Sequence, residues 1–238
     1  MEDQVSRLVD KAWNRFLETA PNKRLLIAIS GIPGSGKTTL SEILTNALNT
    51  RHATLHPSSP PLAAFVPMDG YHLTRAQLDA LPDPVTAHAR RGAEFTFDGD
   101  GFLRLVEALR APLTAESGTV YAPSFDHAVK DPKEGDIAVG VEQRVVVFEG
   151  NYVLLDKEPW SRAAALMDLR WFVEVDPAVA RVRLARRHVT AGIVDSLEEG
   201  NRRAVENDLP NGEEVVRRRV EGIDEVVKSV EDGDWVHL

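Results

Sequence analysis

The chain of 238 residues contains no cysteine. Disulfides, thiolate nucleophiles and cysteine-held zinc are therefore excluded. Long apolar runs are missing too. The stretch Leu25 to Ile29 is of strand length, far short of the ~20 residues that span a bilayer. The opening residues, MEDQVSRLVD, carry acids and no apolar core, so neither a signal peptide nor a transit peptide is expected. With no call for a membrane or an oxidising compartment, a cytoplasmic protein is expected. Positive charge is scarce: Lys and Arg number 28 against 37 Asp and Glu, a net charge of −9. Nucleic-acid binders usually present a basic face, so nucleic acid is not expected as a partner. No G-x-S-x-G elbow and no N-K-x-D guanine-reading motif occurs, which speaks against a serine hydrolase and a GTPase switch.

What is present is the make-up of a globular protein with a full core: 43% hydrophobic and 27% charged residues, in a chain long enough to need no covalent staples. Val5, Leu8, Val9, Ala12, Trp13 and Phe16 recur at helical spacing, so an amphipathic helix fills residues 1–20. Short apolar runs at 25–30, 63–68, 144–148 and 170–175 read as buried strands. Between and after them, helices are expected over 37–48, around Phe102 to Leu109, over 177–191 and over 196–207. Residues 51–61 read as a loop, 118–140 as loop with short strands, and 223–230 and 235–238 as late strands. Strands alternating with helices predict an α/β chain with a mostly parallel sheet wrapped on both faces. Ligands of such sheets bind beyond the carboxyl ends of the strands. The residues there, the Gly31 loop, Asp69 and Glu149, should face one crevice.

The most specific signal is Gly31-Ile32-Pro33-Gly34-Ser35-Gly36-Lys37-Thr38, a full G-x-x-x-x-G-K-[ST] match between a strand and a helix. Glycines let successive N–H groups turn inward onto phosphate oxygens, and the helix N-terminus adds its dipole. Lys37 supplies charge to the β and γ phosphates, and Thr38 offers a hydroxyl to Mg²⁺. With Thr39, these residues form the expected ATP site. Asp69 follows the second strand and is placed to accept a proton from an attacking hydroxyl or only to cap the following turn; spacing leaves both open. Glu149 follows the RVVVF strand and either joins the Mg²⁺ shell with Thr38 or caps the strand end. Arg183 and Arg187, four apart on one helix, share a face that is either solvated or closes over a transferring phosphate. His72, His127 and His188 are possible substrate contacts.

Several segments together resemble one family: GIPGSGKTTL (31–40), MDGYHLTRAQLD (68–79), RRGAEFTFD (90–98), YAPSFDHAVKDP (121–132), VVVFEGNYVLLD (145–156), RLARRHVTAG (183–192) and ENDLPNG (206–212). The chain resembles the phosphoribulokinase/uridine kinase group of P-loop kinases, which includes type I pantothenate kinases, and within it a uridine kinase-like branch associated with sugar transport. The resemblance implies a three-layer P-loop NTPase fold with a helical lid. It implies one kinase domain over 1–238, with 177–212 as lid and following helices. It implies an ATP- and Mg²⁺-dependent phosphotransferase acting on a hydroxyl of a small molecule such as a nucleoside, a pantothenate-like compound or a sugar. Asp69 would be the base, Lys37 and the lid arginines Arg183 and Arg187 would complete the catalytic set, and Glu149 would lie at metal and substrate. Tyr71, His72, Arg91, Phe97, Tyr121, Asp126 and His127 would face the acceptor. The lid reads RHVTAGI where uridine kinases carry R-D-x-x-x-R-G-R, which points away from uridine itself. A homodimer is an open alternative to a monomer. The rival class is a regulatory ATPase that binds nucleotide without a metabolite acceptor.

Overall fold

The computed structural model describes residues 2–126 and 128–229. His127 and the expected strand at 235–238 lie outside the described residues. Helix α1 (Glu2–Glu18) opens the chain, followed by β1 (Leu25–Gly31), α2 (Lys37–Leu55) and β2 (Ala63–Pro67). Short helices α3 (Arg75–Asp79) and α4 (Pro84–Ala89) precede α5 (Gly99–Arg110), the hairpin β3 (Val120–Asp126) and β4 (Asp131–Val139), and β5 (Val145–Glu149). Then come α6 (Trp160–Ala165), β6 (Leu169–Glu174), α7 (Pro177–Thr190), α8 (Leu197–Arg203), a π-helical turn (Ala204–Asp208), α9 (Leu209–Arg217) and β7 (Glu225–Lys228).

The main sheet has five strands in the order β2-β5-β1-β6-β7, all parallel. Its central strands β1 and β5 are buried along their whole length, as cover on both faces requires. Leu25, Ile27 and Ile29 of β1, with Val145 and Val147 of β5, point into one layer with Leu8, Trp13 and Leu44 of α1 and α2. Leu26, Ala28, Val146 and Phe148 point into the other, with Phe102 of α5 and Trp160 of α6. This is the expected three-layer fold. Among the described residues no helix is long and apolar enough to cross a membrane.

Three local readings are revised. Helix α2 runs to Leu55 rather than 48, because Arg51 inside the expected loop ion-pairs with Asp10 at 2.6 Å and lies over the Trp13 ring; Pro57 follows it. Within the segment 118–140, β3 and β4 pair as an antiparallel hairpin whose register shifts between Ala122 and Ser124. The helical region after α7 extends to Arg217 through the π-helical turn.

Helix α1 is tied to β7 by Glu225, which pairs with Arg7 at 2.9 Å and Lys11 at 2.8 Å. Arg7, with Lys11, holds the Glu225 carboxyl down to about 2 from an ordinary 4.5, against the opposing effect of burial. A depressed folded-state pKa contributes stability above the unfolded value and loses it as pH falls. Wild-type stability is therefore expected to drop between about pH 4.5 and 2. Glu225→Gln should flatten that part of an unfolding curve followed by urea, at a cost near neutral pH of under about 1 kcal/mol.

Candidate active site

Strand β1 ends at the glycine loop, where Gly34 and Gly36 hold φ of +78° and +85°, a region that side chains resist. Gly36 sits at the N-cap of α2 and supplies no capping side chain. The first N–H groups of a 19-residue helix are thus left for a ligand, and a phosphate is the group that such an end favours. Helix α7 lies directly on the loop: Arg183 Nη1 donates to the Gly34 carbonyl at 3.2 Å and to Ser229 Oγ at 2.8 Å.

Next to β1 runs β5, in register so that Ile29, Glu149 and Pro67 share one row across β1, β5 and β2. Glu149 is buried, with its Oε1 3.8 Å from Lys37 Nζ. Burial pushes its carboxyl up from the ordinary range; Lys37 opposes this and Asp69 adds to it. Burial likewise lowers the Lys37 ammonium, against the attraction of Glu149. Lys37 Nζ also reaches the Ile32 carbonyl at 3.5 Å. Thr38 lies within hydrogen-bonding reach of Glu149.

After β2 the chain makes one 3-10 turn, Met68–Tyr71. Residues three apart share a side of such a turn. Met68 and Tyr71 turn into the core, while Asp69 and His72 line the cleft. The His72 Nδ1 lies 2.8 Å from the Asp69 carbonyl; a carbonyl only accepts, so Nδ1 carries the proton. The hairpin rests against this turn so closely that a Cβ on Gly70 would overlap the Pro123 carbonyl. Gly70→Ala is therefore expected to destabilise the protein by about 1–3 kcal/mol, as read from the urea midpoint, and to displace Asp69.

A cavity of about 470 Å³ joins these parts. Its lining includes Lys37, Thr38, Glu149, Asp69 and Arg187 on the side of the glycine loop, and His72, Phe97, Phe125, Arg91 and Lys130 on the side of the hairpin. The His72 ring lies 4.0 Å from Phe97 and 4.8 Å from Phe125, centroid to centroid. Arg91 clamps the hairpin turn: it donates to the Lys130 carbonyl at 2.6 Å and the Leu73 carbonyl at 2.9 Å, and pairs with Asp131 at 2.8 Å. The roof comes from α7 to α9. His188 Nε2 meets Asp208 Oδ2 at 2.7 Å, and Arg90 of the loop after α4 bridges to Asn207 and Asn211 at 2.9 and 2.8 Å.

The structure thus gathers Lys37, Thr38, Asp69, His72, Arg91, Phe97, Glu149 and Arg187 around one space. Four residues expected at catalytic or acceptor positions lie elsewhere. Tyr71 packs edge-on against Phe102, Tyr121 is 61% exposed on the hairpin, and Asp126 caps the hairpin turn by accepting from Ala128 and Val129 N–H groups. Arg183 braces the glycine loop from behind. Phe125, Lys130, Arg203, Asp208 and Asn211 line the cavity and were not singled out from the sequence. His52 and His56 stand one helical turn apart, rings 4.9 Å apart. Among the described residues no group of three His, Asp or Glu is placed to hold a metal ion.

A parallel sheet with a glycine loop on its central strand, an uncapped helix behind the loop and a lysine beside the neighbouring strand's carboxylate defines a P-loop nucleotide-binding protein. The chain belongs to the phosphoribulokinase/uridine kinase family, whose description matches residues 26–195, and so to a family of ATP-dependent kinases. It is 54% identical over 171 residues to the ATP-dependent kinase-like protein notR′ of Aspergillus versicolor, covering 72% of this chain and 96% of that one. It is 42% identical over 203 residues to a protein of Schizosaccharomyces pombe described as a candidate uridine kinase, covering 85% of this chain and 83% of that one. Among solved structures, a candidate fructose transport system kinase from a Silicibacter species superposes with a TM-score of 0.76 at 34% identity, over 92% of this chain and 98% of that one. YFH7 of Saccharomyces cerevisiae shares the fold, with a TM-score of 0.82 at 24% identity over 96% of this chain and 99% of that one.

Proposed function

We propose that this chain transfers the γ-phosphoryl group of ATP to a hydroxyl of a small molecule held in the cavity between the glycine loop and the hairpin. The observation that carries the reading is that Lys37 and Asp69 line the same cavity, with some 470 Å³ between the loop and the aromatic wall. That is the size of a small-molecule site. The glycine loop, the α2 N-terminus and Lys37 hold the triphosphate, and Asp69, exposed to the cleft, takes the proton of the attacking hydroxyl. Arg187, which acts electrostatically on both Lys37 and Glu149, faces the transferring group from the roof. The Thr38 hydroxyl and the Glu149 carboxylate are adjacent hard oxygen donors and fit Mg²⁺, an ion commonly held by one or two carboxylates plus substrate phosphates. When bound there, Mg²⁺ neutralises charge on the phosphates. Residues 1–238 act as one kinase domain, in which 177–212 comprises the lid that excludes water and the helical segment after it.

The names of the relatives, a candidate uridine kinase and a candidate fructose transport kinase, support hydroxyl-bearing metabolites as acceptors. ADP release should be measured with ATP, Mg²⁺ and a panel of nucleosides, sugars and pantothenate. Release stimulated at least about tenfold by one acceptor is the expected outcome. Slow release that no acceptor changes would replace this reading with a regulatory ATPase.

A further inference from the structure

The charged groups around the cavity are unequal in a way that bears on the acceptor. The protein as a whole has a net charge of −9. Yet five cations, Lys37, Arg91, Lys130, Arg187 and Arg203, line the cavity against three carboxylates, Asp69, Glu149 and Asp208. Of the carboxylates, Glu149 faces Lys37 and Asp208 is held by His188. Among the described residues none of Lys130, Arg187 and Arg203 has a carboxylate within ion-pair distance.

These cations fall into two groups by position. Lys37 and Arg187 belong to the phosphate end, since Arg187 acts electrostatically on Lys37 and Glu149. Arg91, Lys130 and Arg203 belong to the other end. Arg91 holds the Lys130 carbonyl. Asn207, one helical turn beyond Arg203, donates to the Arg91 carbonyl at 3.2 Å. This contact sets the π-helical turn that follows Arg203 against the residue that clamps the hairpin. In both Arg91 and Arg203 the Nε is buried and has no hydrogen-bond partner. A buried charged donor without an acceptor is costly; the rest of the Arg91 head is met by Asp131 and two carbonyls, whereas among the described residues the Arg203 head, which lines the cavity, has no partner.

Lys130 adds an observation from the backbone. It adopts φ of +58°, alone among the described non-glycine residues, in the left-handed region that Asn or Gly occupies at lower cost. A lysine at that position is poor for the turn, but it puts a cation at the rim of the cavity.

We infer that the phosphate acceptor is itself an anion: a small hydroxyl-bearing molecule whose carboxylate or phosphate group is held by Arg203 and Lys130, with its body against Phe97 and Phe125. This rests on the kinase reading above and narrows its acceptor class. Neutral nucleosides and free sugars would leave Arg203 and Lys130 unmatched. A second anion there does not compete with the triphosphate, whose charge is met by Lys37, Arg187 and the helix end.

Binding tests this apart from turnover. The protein, saturated with a non-hydrolysable ATP analogue and Mg²⁺ so that the phosphate end is filled, is titrated calorimetrically with two matched sets. One set holds hydroxy acids and sugar phosphates, and the other holds the corresponding polyols and free sugars together with uridine. The expected result is binding confined to anionic members, with carboxylates and phosphates told apart by which arm binds. Arg203→Met and Lys130→Asn should each weaken it at least about tenfold while the affinity for the analogue changes less than about twofold. Lys130→Asn suits the turn, so its effect is not one of misfolding. If uridine or a free sugar binds as tightly as its charged counterpart, if no anion binds, or if both variants bind the anion as wild type does, the inference is overturned. An anion that binds in this charge-dependent way but is never phosphorylated upholds the anion site and sinks the kinase reading instead.

Discussion

Asp69→Asn is expected to lower acceptor-dependent turnover by about a thousandfold while ATP affinity stays within about twofold. A positioned base contributes about 10²–10⁴ to such a step, and asparagine keeps the shape of the side chain while losing its ability to take a proton. The fold gives no reason for a wider effect. Asp69 lies on the exposed side of its 3-10 turn, and the turn is held by the core residues Met68 and Tyr71 and by the hydrogen bond between His72 and the Asp69 carbonyl. The urea midpoint should therefore be unchanged. If Asp69→Asn keeps near wild-type turnover, Asp69 only caps the turn, which is the other role its spacing allows. If ATP binding falls with turnover, it serves the nucleotide rather than the acceptor.

Lys37→Met is the second large effect, with a loss of about 10²–10³ in turnover, the size expected when one preorganised charge on a transferring group is removed. Here the electrostatic surroundings make a further distinction. Lys37 and Glu149 are both buried, 3.8 Å apart. Replacing a buried ion pair by apolar groups is often neutral for stability, but removing one partner strands the other. Glu149 already has a raised pKa from burial and from Asp69, and Lys37 is the main opposing influence. Without Lys37 the carboxyl should rise further. A folded-state pKa above the unfolded value gives stability that is present at low pH and lost as pH rises through the folded value. Lys37→Met should therefore lose stability relative to wild type as pH rises. The double variant Lys37→Met with Glu149→Gln should remove that dependence, and urea unfolding across pH reads both.

Much of this site could be read in the sequence because its parts are bound to backbone geometry. The glycine loop needs its glycines for positive φ, and Asp69 and Glu149 end up together because strand ends of a parallel sheet share one edge. The acceptor wall was harder to read. Tyr121 and Phe125 are four apart and would share a face of a regular strand. Between Ala122 and Ser124 the pairing is irregular, with Pro123 alone opposite three residues of β4; regular alternation is lost there, and Phe125 instead of Tyr121 lines the cavity. Tyr71 turns into the core because a 3-10 turn with a period of three follows β2 at once. Arg183 and Arg187 do share a face, but α7 lies so close to Gly34 that the first arginine meets the loop backbone while the second reaches the cavity. Arg203, Asp208 and Asn211 depend on how α8, the π-helical turn and α9 fold over the cleft, and no local period reports that.

The central claim is that the cavity between Lys37 and Asp69 is where a phosphoryl group passes to a hydroxyl. Phosphorus NMR of ATP, Mg²⁺, protein and the acceptor panel tests it most directly. The γ-phosphorus signal is expected to move into a phosphate ester on one acceptor, and the ester to be lost in Asp69→Asn. Inorganic phosphate as the sole product, formed at the same rate with and without every acceptor, would contradict it.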